Sequence, residues 1–350
     1  MAVEIQKLTP ENLDGVSSIL ILCWGLLGDV FIRVPLIEAV RKRFPKARIV
    51  VVVDPVAVAV LENHPDCDEV VSFSRVKRPA FHYLVETSKK LVALRRRKFG
   101  LCINLYSGGS TPRFSKFINA NIRLGFNHTR GLRRANNVVV PRPSFAGNWT
   151  KALGTMLEPL GIDSKDIRRG TSFYCSKAAV DRAKLYLMDV SAKLVGINLG
   201  AGSDEKRWPV RNFVSLAKRI YAKYGIIPLV FTNPGTEYLA TEFEVQYGKH
   251  SQVIVVPVTP LDDVAALMSN CGYFITADTS LMHMAFGLKV PTLVLFTFTR
   301  PEMVAPEDVR FSSCFVESKS GRDYCGQPAG SVDISVNAAM QQFEQLAGLE

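Results

Sequence analysis

Short apolar runs alternate with amphipathic stretches in two successive series, and this alternation limits the possible folds more than any other feature of the chain. In the first series, residues 18–23, 48–54, 69–73, 101–105, 121–126 and 136–140 have the length and β-branched content of strands. Helical periodicity fills the gaps at 29–44, 55–63, 81–97 and 149–160. A polar stretch at 162–176 interrupts the pattern, which then restarts. Strands follow at 194–199, 227–231, 253–256, 273–276 and 292–296, with helices at 210–224, 235–247, 261–270 and 280–288. Strands joined through helices run parallel and are covered on both faces. With 350 residues, 47% of them hydrophobic, there is material for two cores, whereas single cores stop growing near ~250–300 residues. The expected domains are 1–175 and 176–330, both Rossmann-like α/β. In the closing segment 331–350, a helix near 336–346 is expected to pack back toward the first domain.

Charge narrows the partners. Between residues 87 and 157 there are fourteen Lys and Arg and not one Asp or Glu, in a chain of net charge +11. An anionic partner is therefore expected on the first half. No apolar run reaches the ~18–20 residues of a bilayer span, and the polar opening is not that of a secretory signal, so a cytoplasmic protein is expected. Seven cysteines without paired Cys-x-x-Cys spacing predict reduced thiols and no metal site.

Three strand-to-helix loops hold the candidate chemistry, since ligands on parallel sheets bind where strands end and helices begin. Gly25-Leu-Leu-Gly-Asp29 lacks Gly-x-Gly-x-x-Gly; its Asp29 fits a helix cap, an i,i+4 partner of Arg33 or a general base. Gly200-Ala-Gly-Ser-Asp-Glu-Lys-Arg-Trp-Pro209 offers small residues for close approach to phosphate, with Ser203 as donor and Lys206 as cation. Asp278-Thr-Ser-Leu-Met-His283 opens a compact helix whose free amides and dipole suit an anion, with His283 one turn in.

The ordered set Gly28-Asp29-Val-Phe-Ile-Arg-Val-Pro35, Gly200-Ala-Gly-Ser with Lys206-Arg-Trp-Pro209, and Asp278-Thr-Ser-Leu-Met-His283-Met-Ala resembles the family 9 glycosyltransferases, the bacterial heptosyltransferases of lipopolysaccharide core assembly. The resemblance implies GT-B architecture, two Rossmann-like domains with parallel sheets facing across a cleft. It further implies inverting transfer without a metal or other cofactor, with ADP-heptose as the donor. Donor binds the carboxyl-terminal domain in that family, and a Kdo- or heptose-bearing lipid A acceptor the amino-terminal one. Carried over, Asp29 corresponds to the catalytic base and Lys206 to the lysine at the donor diphosphate. Ser203 and Asp278, Thr279, Ser280 and Leu281 correspond to the phosphate loops, and His283 to the histidine beside them. Glu237, Thr259 and Leu261 fall in the nucleotide-contacting region. Arg33, Arg113, Arg130, Arg133 and Arg134 are the acceptor-side candidates. Implied partners are a nucleotide sugar, an anionic lipopolysaccharide precursor and, transiently, the inner face of the cytoplasmic membrane, with no nucleic acid. Two departures bear on donor and acceptor rather than on reaction class: Thr297-Phe-Thr-Arg-Pro301 stands where a Gly-Pro-Thr-Asp-Pro-like loop is usual, and Phe231-Thr-Asn-Pro-Gly235 lacks the usual glycines.

Two other classes share features of this chain. A nicotinamide-dependent oxidoreductase would use Asp54, at the end of the second strand, as a ribose ligand, but the missing glycine fingerprint counts against it. A nucleic-acid binder would exploit the basic half, yet no helix-turn-helix, zinc or RNA-binding signature is present.

Overall fold

The computed structural model describes residues 8–74, 81–106, 111–126, 135–144, 147–202, 206–248, 252–296, 299–322, 328–330 and 334–349. Two compact units divide at Arg169/Gly170. After a short helix α1 (Pro10–Leu13), the first unit runs β1 (Ser18–Leu22), α2 (Leu27–Arg43), β2 (Arg48–Val53), α3 (Val58–Leu61), β3 (Glu69–Ser72) and α4 (Phe81–Arg96). It continues with β4 (Leu101–Asn104), α5 (Thr111–Ile118), β5 (Ile122–Phe126), β6 (Val138–Val140) and α6 (Trp149–Gly154). Its six strands are all parallel, in the order β3-β2-β1-β4-β5-β6. β1 is buried at every residue after Ser18 and β4 throughout, which is why β1 reads as an unbroken Leu/Ile run and β4 as Leu-Cys-Ile instead of alternating with polar residues.

The second unit contains α7 (Lys177–Tyr186), β7 (Leu194–Asn198), α8 (Val210–Tyr224), β8 (Ile227–Phe231), α9 (Glu237–Tyr247), β9 (Ile254–Val255) and α10 (Leu261–Met268). Then come β10 (Tyr273–Ala277), α11 (Ser280–Gly287), β11 (Thr292–Phe296), β12 (Phe311–Phe315), a β13 (Glu317–Arg322) and β14 (Pro328–Gly330) hairpin, and α12 (Val336–Ala347). The sheet order β12-β11-β10-β7-β8-β9 is again all parallel. Counted from the first strand of each unit, both sheets follow 3-2-1-4-5-6, so strand order reverses beside β1 in one and beside β7 in the other. Crevices for ligands open at such reversals, outside the carboxyl ends of the strands.

Several expectations need correction. The closing helix α12 belongs to the second unit. Phe343, Leu346 and Ala339 are buried in the core of the second, with Phe343 edge-on to Tyr273 at 5.2 Å. Polar bonds from Arg219 to Asn337 and from Tyr224 to Glu344 fix the same helix. The helix expected at 149–160 ends at Gly154 and continues as 3-10 turns through Leu160. Pro159 lacks the N–H that a further α-helical turn would use. The 55–63 helix likewise splits into a 3-10 turn, Pro55–Ala57, and the short α3. The units part inside the polar stretch 162–176, ahead of residue 175, because the Phe173 N–H donates to the Gly287 carbonyl and Lys289 Nζ to the Thr171 carbonyl.

Trp208 anchors the loop that carries Lys206. It is fully buried, stands edge-on to Phe213 at 4.9 Å, and donates its indole N–H to the Ile334 carbonyl at 2.9 Å. Trp208→Ala is expected to cost about 3–5 kcal/mol, as for other buried Trp truncations. A urea titration reports this, and a loss below ~1 kcal/mol would contradict the anchoring role.

Candidate active site

In the first unit, the end of β1 feeds a turn built around one peptide group. Trp24 is buried and donates its indole N–H to the Phe73 carbonyl, so the chain cannot shift outward. Gly25 follows at φ +149°, a value that favours glycine; a Cβ there would lie 2.6 Å from Asp29 Cβ and 2.8 Å from its Oδ2. Asp29 is the third residue of α2, is exposed, and accepts the Leu26 N–H at 3.0 Å. The carboxylate thus satisfies an amide at the helix start while remaining open to solvent. Burial pushes the neighbouring Cys23 thiol up to about 11, and the Arg33 guanidinium partly opposes this.

Arg33, one of the acceptor-side candidates, lies inside the first unit. It is 7% exposed and donates from Nη1 to the Trp24 carbonyl at 2.6 Å, with its guanidinium 5.8 Å from the Tyr106 ring centre. Arg113 is exposed in the first turn of α5, on the rim where β4 ends. Arg130, Arg133 and Arg134 lie outside the described residues. The basic segment is divided by the topology. Arg95, Arg96, Arg97, Lys98 and Lys116 are exposed at the far ends of α4 and α5, where β4 and β5 begin. That is the rim opposite Asp29, so these five cannot meet a hydroxyl at its carboxylate.

In the second unit, the loops after β7 and β10 are tied by Asn198, the fully buried last residue of β7. Its Nδ2 donates to the Thr276 hydroxyl at 3.0 Å, the Thr279 hydroxyl at 3.2 Å and the Gly200 carbonyl at 3.1 Å, and its Oδ1 accepts the Gly200 N–H at 3.1 Å. A Cβ added at Gly200 would lie 2.4 Å from the Asn233 side-chain amide, which would have to move; around Gly202 the space is open. Lys206 Nζ bonds Asp278 Oδ2 at 3.0 Å, and the Thr299 hydroxyl donates to the same oxygen at 2.5 Å. Thr279 precedes α11 without a side-chain cap bond, which leaves the first amides of that helix to other partners. Ser280 and Leu281 open the helix; His283, 7% exposed, lies one turn in with its ring 6.3 Å from Phe286. A cation, hydroxyls and a helix start converge here, an arrangement suited to binding phosphate. Ser203 lies outside the described residues.

The nucleotide-side candidates stand at the next strand ends. Glu237 opens α9, exposed, and its own backbone N–H and that of Gly235 hold its carboxyl below the usual range. Thr259 Oγ1 donates to Asp263 Oδ2 at 3.4 Å at the start of α10, and Leu261 is the half-buried first residue of that helix. Sequence reasoning passed over Asn198, Thr276, Asn233 and Thr299. The available signal was polar residues terminating apolar strands, as in Gly196-Ile-Asn198 and Phe274-Ile-Thr276.

Among characterised proteins, the chain is 22% identical over 280 residues to lipopolysaccharide heptosyltransferase 3 of Escherichia coli, covering 78% of this chain and 81% of that one. It is 20% identical to lipopolysaccharide heptosyltransferase 2 of Salmonella typhimurium, across 95% of this chain and 99% of the relative. In fold it is similar to a family 9 glycosyl transferase from Veillonella parvula, with TM-score 0.80, 22% identity and coverage of 95% and 98%. It is also similar to the E. coli ADP-heptose lps heptosyltransferase II, with TM-score 0.77, 19% identity and coverage of 94% and 98%. The two six-stranded parallel sheets are those of GT-B heptosyltransferases. A model of glycosyltransferase family 9 (heptosyltransferase) matches residues 92–323, and the chain belongs to that family of transferases.

Proposed function

We propose that this glycosyltransferase moves a heptose from ADP-L-glycero-D-manno-heptose to the inner core of a lipopolysaccharide precursor, by inverting single displacement and without a metal. Asp29 takes the proton of an acceptor hydroxyl as its oxygen attacks the anomeric carbon. The bond to the β-phosphate oxygen breaks on the opposite face, and ADP leaves. Lys206 and the first amides of α11 bear the charge that grows on the leaving phosphate. Ser280 and Thr279 add donors. Glu237, Thr259 and Leu261 border the nucleoside, and Arg113 faces the anionic acceptor. The basic rim of the first unit and the anionic acceptor together favour transient attachment to the inner leaflet.

The observation that carries this reading is the Lys206–Asp278–Thr299 cluster, held beside the start of α11 by the Asn198 bridge at the strand-order reversal of the second sheet. The similarity to an E. coli heptosyltransferase solved with ADP, TM-score 0.74 at 15% identity, is in keeping with a nucleotide there. Calorimetric titration with ADP-heptose, UDP-sugars and GDP-sugars provides the test. ADP-heptose is expected to bind tightest. Preference for a uridine or guanosine donor would replace the donor while leaving the transferase class intact.

A further inference from the structure

Asp54 has a role that neither its own turn nor the transfer chemistry explains. It precedes the 3-10 turn Pro55–Ala57, where an aspartate usually caps the turn it begins, yet its side chain makes no cap bond there. Instead Oδ2 reaches across the sheet edge and accepts the Gly25 N–H at 2.9 Å. The carbonyl of the same peptide group, that of Trp24, accepts from Arg33 Nη1 at 2.6 Å. One peptide plane is thus gripped at both ends, by an anion at its N–H and a cation at its C=O. Arg33 is 7% exposed with its Nε–H unpartnered, a costly placement for a guanidinium unless the position itself is needed. The gripped peptide meets Asp29 closely: the point where a Gly25 Cβ would sit is 2.8 Å from Asp29 Oδ2 and 3.0 Å from Arg33 Nη1.

We propose that Asp54 and Arg33 are positioning residues that clamp the Trp24–Gly25 peptide and thereby fix where the Asp29 carboxylate stands. This rests on Asp29 being the base. A rotated peptide would carry Gly25 into the space of the carboxylate or withdraw from it, and displacement of a reacting group by about 1 Å can cost ~10²-fold in rate.

The test is a mutant cycle on kcat with ADP-heptose and a deacylated Kdo-bearing core acceptor, alongside ADP affinity. Asp54→Ala is expected to lower kcat by roughly 10–10²-fold with ADP affinity unchanged. Asp54→Asn, which keeps an acceptor oxygen, should recover most of that loss. In an Asp29→Ala background, Asp54→Ala should remove little more, because a positioning residue has nothing left to position. Wild-type kcat in Asp54→Ala while Asp29→Ala is impaired overturns the clamp alone, as do losses that multiply in the double variant. Normal turnover by Asp29→Ala overturns both the base and the clamp. Should Asp54→Ala fail to fold, Asp54→Ser carries the test, since its shorter side chain gives up the bond to the Gly25 N–H: lowered kcat at unchanged ADP affinity supports the clamp, and unchanged kcat overturns it.

Discussion

Asp29→Ala is expected to lower turnover by ~10²–10⁴-fold, the usual contribution of general-base assistance. The affinity for ADP should not change, because the phosphate-binding candidates belong to the second unit and Asp29 to the first. Alanine also removes the acceptor of the Leu26 N–H, and loss of a comparable helix-start bond costs about 0.5–2 kcal/mol. Asp29→Asn separates the two roles. The amide oxygen still accepts from Leu26, so the melting temperature should stay near wild type, but the amide takes no proton and the rate should fall as far as in the alanine variant. Initial rates and thermal melts on the two variants decide the matter. Wild-type turnover by Asp29→Asn would leave the carboxylate a helix-start acceptor and nothing more.

Lys206→Ala is expected to lower kcat/KM by roughly 10²–10³-fold, the scale of removing one donor from a charge-stabilising site. The cause is twofold. On the proposed reading the leaving diphosphate loses its cation, and Asp278, 12% exposed and bonded to Lys206 and Thr299, is left as a partly buried anion beside the proposed phosphate site. ADP should therefore bind more weakly as well. Adding Asp278→Asn to Lys206→Ala removes the repelling charge and should restore part of the ADP affinity while restoring little of the rate. Isothermal titration and initial-rate measurements separate the two effects. If the single variant binds ADP as wild type and turns over normally, the lysine serves only its ion pair with Asp278.

The six strands of the first sheet were legible because parallel strands covered on both faces are written as apolar runs, Ser18-Ile-Leu-Ile-Leu22 and Arg48-Ile-Val-Val-Val-Val53 among them. β12 was not, since Phe311-Ser-Ser-Cys-Phe315 is an edge strand with polar residues in its middle and carries no such signature. α7, Lys177-Ala-Ala-Val-Asp-Arg-Ala-Lys-Leu-Tyr186, buries only Ala179 and Ala183, too thin an apolar stripe to stand out. The motif residues Asp29, Lys206 and Asp278 were visible as exceptions to the apolar pattern. Their supports were not: Asp54 lies 29 residues from the Gly25 it bonds, and Thr299 lies 21 residues from Asp278.

Local sequence by itself determined the alternation of strand and helix, the parallel sense of the sheets and the position of the candidate loops, because each follows from periodicity and from the residues flanking a helix start. Tertiary structure alone decided which surface receives α12, that Arg33 turns inward to the Trp24 carbonyl, and that the basic segment is split between two rims of one sheet. A hydrophobic stripe states that a face will be buried but not against what, and a charged side chain takes its direction from partners brought near only when distant strands pair.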